Sequence, residues 1–472
     1  MQNSEKRTNV MIGLEVHTYL DTKSKLFCSC STDTKNSPPN THCCPVCLSH
    51  PGSKPVLNAK AVDHAIKVGL ALNCKINKDF FFSRKTYFYP DMSANYQITQ
   101  YEVPVAETGF VMLGEKKVGI TRAHLEIDPA ALVHPDGMGK SNYSLIDYNR
   151  SGFALLEIVT DPDLTSPKEA RDFLNNLENI LSYLKVLMPN TTMKADCNIS
   201  INGGNRVEIK NVSGFAAAEK ALNYELKRQI QQEKLGVLIE QETRLFDADS
   251  GTTLGARKKE TEADYGYIFD PDLVKVSLSE EQINNIKKVM PELPGEKQKR
   301  FVNDYGLTGY DANVLCFDFE LSNLFEELMT KEADAKISSK LLTRELLSIL
   351  NHDSLKLNEV EVDVNKLFDL VELIKSGKVN DRNVKQSMIN YISGDKEAPA
   401  KFLEENDLLV DESIDVDKII LETLEGNEEA ILDYKGGNEK VLNFLAGLIM
   451  RETKGAVKID EVMEKLKSKL SA

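Results

Sequence analysis

The stretch IGLEVHTYL, Ile12 to Leu20, decides the fold class. Ile12, Leu14 and Val16 are apolar, whereas the residues between and after them, Glu15, His17 and Tyr19, carry ionisable groups. A period of two puts these sets on opposite faces of a β-strand. The same strand-like texture recurs in VGITRAHLEID, YSLIDYN, FALLEIVTD, CNISI and RVEIKNV. On shared faces these strands carry Arg122, His124, Glu126 and Asp128, then Leu155, Glu157 and Val159, then Asp196, Asn198 and Ser200, then Arg206, Glu208 and Lys210. One such strand means only a solvated sheet face. Five within one domain fit either that or a concave polar floor. Carboxylates grouped with histidine suit Mg2+, which takes hard oxygen ligands and keeps waters and phosphates as its other partners. Arg and Lys on the same face suit the phosphates.

Helical spacing interrupts the strands in NAKAVDHAIKVGLALN, SPKEARDFLNNLENILSYLKVL and GFAAAEKALNYELKRQIQQEK. The second begins at Ser166 and Pro167, a capping residue followed by proline at the first helical position. The expected class is α+β with a mainly antiparallel sheet. The chain has 472 residues, 41% of them hydrophobic, enough for about three domains at roughly 150 residues each. The boundaries expected from texture are an α+β domain over 1–293, an all-α domain over 294–395 and a small all-α tail over 396–472.

The balance of 58 Lys+Arg against 73 Asp+Glu gives a net charge of −15. That speaks against a histone-like nucleic-acid binder but leaves room for a local basic patch. Such a patch exists: residues 401–433 carry 12 acidic against 2 basic side chains, whereas residues 434–472 carry 5 against 8. No apolar run approaches the ~20 residues of a membrane helix. The polar N-terminus MQNSEKRTNV has no signal-peptide character. The expectation is a soluble, cytoplasmic protein with no membrane partner.

Five of the eight cysteines fall between residues 28 and 47. Without a secretory signal, such a cluster reads as metal-binding before it reads as disulfides. Cys28 and Cys30, with Cys44 and Cys47 from a C-x-x-C knuckle, complete a tetrahedral S4 set for Zn2+. Cys43 and His42 are spare ligands. Four protein ligands leave no open position, so the zinc would be structural.

Other motifs exclude chemistries. Gly139, Lys140 and Ser141 end like a P-loop, but that pattern requires glycine where His134 stands, and a strand-like segment follows instead of a helix. No HExxH or GxSxG motif occurs, and no glutamine-hydrolysing signature is visible. A chain of this kind that consumes ammonia needs a partner to supply it.

Taken in order, IGLEVHTYL, KLFCSCS, CCPVCLSHPGSKPVLN, SRKTYFYPDMSANYQITQYE, AHLEIDPAALVH, DYNRSGFALLEIVTDPDLTSPKEA, RVEIKN and QETRLFD resemble the B-subunit family of the aspartyl/glutamyl-tRNA(Asn/Gln) amidotransferases. DYKGGNEKVLNFLAGLIMRETKGAV resembles that family's tail domain. The resemblance implies a ligase of protein biosynthesis that consumes ATP with Mg2+. Its N-terminal cradle would phosphorylate the side-chain carboxylate of Asp-tRNA(Asn) and/or Glu-tRNA(Gln). Ammonia from glutamine would arrive from a partner amidase (A) subunit, and a small C subunit would complete a heterotrimer.

By the same resemblance, Glu15, His17, Glu126, Asp128, Glu157 and Glu208 match the catalytic and metal pattern. Arg150, Asp196 and Lys210 fall to ATP and its phosphates, and Lys85 and Tyr87 to the ammonia path. Lys435, Lys440, Arg451, Lys454 and Lys458 would contact the mischarged tRNA by shape. The chain departs from the family at Ile127, where many members carry a second glutamate, at Lys194, where arginine is common, and at Gly266, where arginine is usual. Ile127 cannot ligate a cation, and on strict alternation it faces away from Glu126. A non-catalytic tRNA-binding scaffold of the same fold is the competing reading.

Overall fold

The computed structural model describes residues 8–137, 141–210, 212–258, 265–410, 414–435, 438, 440–453 and 456–471. Gly139, Lys140 and Lys454 lie outside the described residues, as does the side chain of Lys435.

Alternation produces one large sheet. Its strands are β1 (Val10–Tyr19), β2 (Lys75–Ile76), β3 (Ala106–Leu113), β4 (Lys116–Ile127), β5 (Ala154–Thr160), β6 (Lys194–Ile201), β7 (Val207–Lys210), β8 (Glu242–Asp247) and β9 (Thr252–Lys258). Their order across the sheet is β9-β8-β7-β6-β1-β5-β4-β3-β2. Every pairing is antiparallel except that of β7 with β8. The expected mainly antiparallel α+β class therefore holds. YSLIDYN does not join this sheet: Leu145–Asp147 pairs with Ala131–Val133 in a separate two-stranded ribbon. Strands Ser83–Thr86, Tyr96–Thr99 and Ile268–Phe269 form another small sheet.

Among the described residues four helices belong to the same unit: α1 (Ala59–Ala71), α2 (Pro167–Tyr183), α3 (Phe215–Lys234) and α4 (Glu280–Lys288). Asn58 caps α1 by accepting from the Lys60 and Ala61 amides. Ser166 caps α2 by accepting from the Glu169 amide, with Pro167 in the first turn. Each cap contributes about 1 kcal/mol by satisfying otherwise orphaned amides. Ile12, Leu14 and Val16 of β1 are buried in one core with Leu156, Ile158, Phe173, Leu177 and Leu222. Glu15, His17 and Tyr19 project from the opposite face, only partly covered.

A defect in β4 decides what that face carries. Val118 and Ile120 are buried in the core, and so are Ala123 and Leu125. The apolar phase therefore switches from even to odd positions within one strand. The pairing with β5 shows why: Arg122 lies opposite Val159 and Ile120 opposite Thr160, so Thr121 is the extra residue of a β-bulge. On the other side, Thr108 of β3 has φ +52°, a left-handed conformation that β-branched residues rarely adopt. The bulge is tied down by the following turn. Thr121 Oγ1 donates to Asp161 Oδ1 at 2.6 Å, the Gly119 amide donates to Asp163 Oδ2 at 2.8 Å, and the Asp161 amide donates to the Gly119 carbonyl at 2.9 Å. The outcome is that Arg122, His124 and Glu126 emerge on the polar side. Unbroken alternation from Ile120 would have sent them into the core.

From Pro294 the chain forms a second compact unit. Its described residues are helical and contain no strand. It holds two separate apolar clusters, one drawn from Phe301 to Leu408 and one from Val416 to Leu470. Among the described residues, no helix is long and apolar enough to cross a membrane.

The bulge makes one position testable. A Cβ on Gly119 would lie 2.1 Å from Asp161 Oδ2, so Asp161 would have to rotate and release Thr121. Gly119→Ala should destabilise the protein by about 1–3 kcal/mol, seen as a lower urea midpoint. An unchanged midpoint would mean this contact does not hold the bulge.

Candidate active site

Register brings ionisable groups from distant parts of the chain into rows across the sheet. Glu157 of β5 lies between His17 of β1 and His124 of β4. Glu157 Oε2 is 3.2 Å from His17 Nε2 and 3.7 Å from His124 Nε2. Glu126 Oε1 is 3.9 Å from His17 Nε2, and its other oxygen accepts from Thr99 Oγ1 at 3.2 Å. His17, Glu126 and Glu157 thus offer ligand atoms all within 4.8 Å of one another. Burial opposes a charge on His17, but the hydrogen bond and charge of Glu157, with Glu126 and Asp196 behind it, outweigh burial and raise its pKa to about 9. Burial likewise opposes a charge on Glu157, and His124 and His17 outweigh it, so this carboxyl lies well below its usual range.

A second group adjoins the first. Asp196 of β6 pairs with Glu15 of β1, and Asn198 pairs with Glu208 of β7. Glu15, Asp196 and Glu208 offer oxygens within 4.8 Å of one another. Each is oriented by a neighbour. Asn198 Nδ2 donates to Glu15 at 3.0 Å, Thr243 Oγ1 donates to Glu208 at 2.9 Å, and Lys210 Nζ donates to Asp196 at 2.8 Å. Lys210 Nζ also lies 3.4 Å from Glu208. Burial opposes the Lys210 charge, but Asp196 and Glu208 hold its pKa above the usual lysine value. Three carboxylates against one ammonium leave an oxygen-rich, negative cluster of the kind that hard cations take. Glu15 and His17 lie two residues apart on β1, so the two groups are neighbours on one floor.

Asp128 and Arg150 stand apart from both groups. Asp128 Oδ2 accepts from Tyr19 at 2.6 Å and pairs with Arg150 Nε at 2.7 Å. Arg150 also donates to the carbonyls of Pro129 and Ala130. These bonds brace the turn after β4, and the structure brings neither Asp128 nor Arg150 into either of the two three-residue groups. Ile127 faces away from Glu126, as alternation requires. It lines a cavity of about 240 Å³ together with Cys28, Cys47 and Arg84.

Lys85 and Tyr87 border the first group. Lys85 Nζ lies 4.8 Å from the ring centre of Tyr265, and the Tyr87 ring lies 6.5 Å from it. Tyr267 stacks on Tyr101 at 3.9 Å and meets Tyr265 edge-on. Burial, with Asp91, Glu126 and Asp128 nearby, raises the Tyr87 pKa. The Lys85 charge in turn helps to keep Glu157 ionised. Tyr101, Tyr265, Tyr267 and Thr99 were not picked out from sequence. Their only signal there was the density of tyrosines around them.

The cysteine loop closes on itself. The sulfurs of Cys28, Cys30, Cys44 and Cys47 lie within 4.8 Å of one another and could hold a metal ion. The Cys44 amide donates to Cys47 Sγ at 3.2 Å, and the buried Lys25 ammonium sits 3.5 Å from it. The hydrogen bond from Cys28 comes first, and with these donors it lowers the Cys47 pKa to about 4. His42 and Cys43 are turned elsewhere: His42 Nε2 meets Ser37 Oγ at 2.8 Å, and Cys43 faces Asn149.

In the tail, Lys440 and Arg451 are exposed at opposite ends of the helix Lys440–Glu452, about 16 Å apart along its axis at 1.5 Å per residue. Lys440 shares a groove with Glu425, Glu428, Glu429 and Asp433. Lys458 is exposed just before the last helix, Ile459–Ser471.

Comparison with known proteins agrees with this architecture. Residues 10–284 match the family model described as the GatB/GatE catalytic domain, and residues 323–470 match the one described as the GatB domain. The chain is 43% identical to the B subunit of the aspartyl/glutamyl-tRNA(Asn/Gln) amidotransferase of Methanosarcina barkeri, with 96% of each chain covered. It is 42% identical to the corresponding protein of a Thermotoga species, covering 95% of this chain and 96% of the relative. It is 39% identical to that of Carboxydothermus hydrogenoformans, covering 98% of each. The chain therefore belongs to the family of aspartyl/glutamyl-tRNA(Asn/Gln) amidotransferase B subunits.

Proposed function

We propose that this chain activates the side-chain carboxylate of Asp-tRNA(Asn), Glu-tRNA(Gln) or both with ATP, and then directs ammonia onto it. The observation that carries this reading is the pair of adjacent ligand groups, His17/Glu126/Glu157 and Glu15/Asp196/Glu208, on one polar floor. Their carboxylate-rich donor set fits Mg2+. Bound there, Mg2+ would neutralise phosphate charge and align the γ-phosphate.

The chemistry requires activation because oxide is a poor leaving group. A substrate carboxylate oxygen attacks the γ-phosphorus, the bond to the β,γ-bridging oxygen breaks, and ADP departs. Ammonia then attacks the acyl carbon, the carbon–oxygen bond to phosphate breaks, and phosphate leaves with the electron pair while nitrogen sheds a proton. The protein's task is to position these groups and neutralise their charge. Asn198, Thr243 and Lys210 fix the second ligand group, and Thr99 fixes Glu126. The wall of Lys85, Tyr87, Tyr265 and Tyr267 is proposed to shield the arriving ammonia from protonation. The ammonia would come from glutamine through an amidase subunit, with a small third subunit completing a heterotrimer. Zn2+ held by Cys28, Cys30, Cys44 and Cys47 would be structural, and residues 294–395 and 396–472 would act as a connecting domain and a tRNA-binding tail.

In the reconstituted complex, Glu15→Gln and Glu208→Gln should each lower transamidation about 100-fold or more, while glutamine hydrolysis by the partner continues. Transamidation at the wild-type rate would leave the non-catalytic scaffold as the better reading.

Chelation of Zn2+ should loosen the cysteine loop and lower the thermal midpoint, because ligands and fold form together. Loss of activity at an unchanged midpoint would instead argue for a catalytic metal.

Arg451→Ala should weaken tRNA binding and reduce its salt slope by about one. A slope equal to wild type would remove Arg451 from the interface.

A further inference from the structure

Arg122 has no part in the site as built above, yet it lies on the same floor. It precedes His124 and Glu126 at the two-residue spacing of one strand face. It also shares a row with Glu15, because Arg122 pairs with Val159 and Val159 with Glu15. Two strand spacings put it about 10 Å from Glu15 at the backbone.

Its guanidinium is not fully satisfied. Nε is buried without a hydrogen-bond partner, and among the described residues Arg122 forms no ion pair. Of the other cations nearby, Lys210 is engaged by Asp196 and Glu208 and Arg150 by Asp128, while Lys85 rests against the Tyr265 ring. Glu107, the register partner of Arg122 on β3, is bound to Lys75 instead. Leaving a guanidinium half-desolvated and unpaired is unfavourable. The fold nevertheless aims it at the floor by means of the bulge at Thr121 and the left-handed Thr108 opposite. Bulges beside active sites commonly re-aim a side chain, and here the side chain that gains an outlook without gaining a partner is Arg122.

We propose that Arg122 grips the terminal phosphoryl group of the nucleotide and keeps hold of it in the acyl phosphate. This rests on the phosphorylating role proposed above. A phosphoryl group has three peripheral oxygens, so it can meet the cation-binding groups and a guanidinium fork at once. The substrate carboxylate is a poorer occupant, since one of its two oxygens must stay free to attack.

The test uses the complete complex with its partner subunits and compares wild type with Arg122→Gln, Arg122→Lys and Arg122→Ala. Arg122→Gln should raise the KM for ATP at least about tenfold or lower kcat about 100-fold, with the KM for charged tRNA within about twofold of wild type. Arg122→Lys should recover part of the loss. Added guanidinium ion should partly restore Arg122→Ala, which a residue needed only for folding would not allow. Two results overturn the proposal: ATP kinetics of Arg122→Gln within about twofold of wild type, or a rise confined to the KM for charged tRNA. If Arg122→Gln is silent while Glu15→Gln and Glu208→Gln abolish transamidation, only the assignment of Arg122 falls. If all three variants are silent, the reading of the floor falls with it.

Discussion

A buried carboxylate stays ionised only if the protein supplies compensating charge, and the floor of this sheet is organised around that constraint. Glu157 meets it through His17 on one side and His124 on the other. Those histidines come from the two strands that flank β5, so the pairing that keeps Glu157 charged is also the pairing that builds the middle of the sheet. Lys210 likewise bridges Asp196 and Glu208. Strand order and charge compensation are therefore one arrangement. A slip of one residue in β1 would move Glu15 and His17 to the core side and bring Leu14 and Val16 to the floor.

The bulge at Thr121 extends this arrangement to β4. Period-two alternation cannot by itself put Val118 and Ile120 in the core and also turn Arg122, His124 and Glu126 to the other face. One extra residue reconciles them. Its fixation by Asp161 and Asp163 ties the phase of β4 to the turn that follows β5, so β4 is held in register with the strand that carries Glu157.

Much of this was legible in the sequence, for identifiable reasons. IGLEVHTYL and FALLEIVTD showed their faces because each is buried on one side only. Ser166 and Pro167 announced α2 because cap chemistry is local. The cysteine quartet was readable from spacing, since a C-x-x-C knuckle brings its two sulfurs together by itself. What stayed hidden depended on tertiary placement. YSLIDYN has strand character, but its Leu145–Asp147 takes Ala131–Val133 as partner instead of the main sheet. The partners of Arg150, Asp128 and the carbonyls of Pro129 and Ala130, are set by a turn that only folding forms. The phase switch in β4 was written in Val118, Ile120, Ala123 and Leu125, but an alternation read from Arg122 onward passes over it. Tyr265 and Tyr267 lie far along the chain from Lys85 and Tyr87, and only folding makes them one wall.

The floor's ligands come from residues 15, 17, 126, 157, 196 and 208, with five strands contributing. No short segment of chain can assemble either group. Loops of many tens of residues must close before the carboxylates of one group meet, so the site belongs to the late, non-local part of folding. A cation bound there would find nothing comparable in the unfolded chain, so its binding free energy would add directly to the stability of the closed sheet. The proposed cation would then act as a clasp across strands that the chain alone must bring together over long loops.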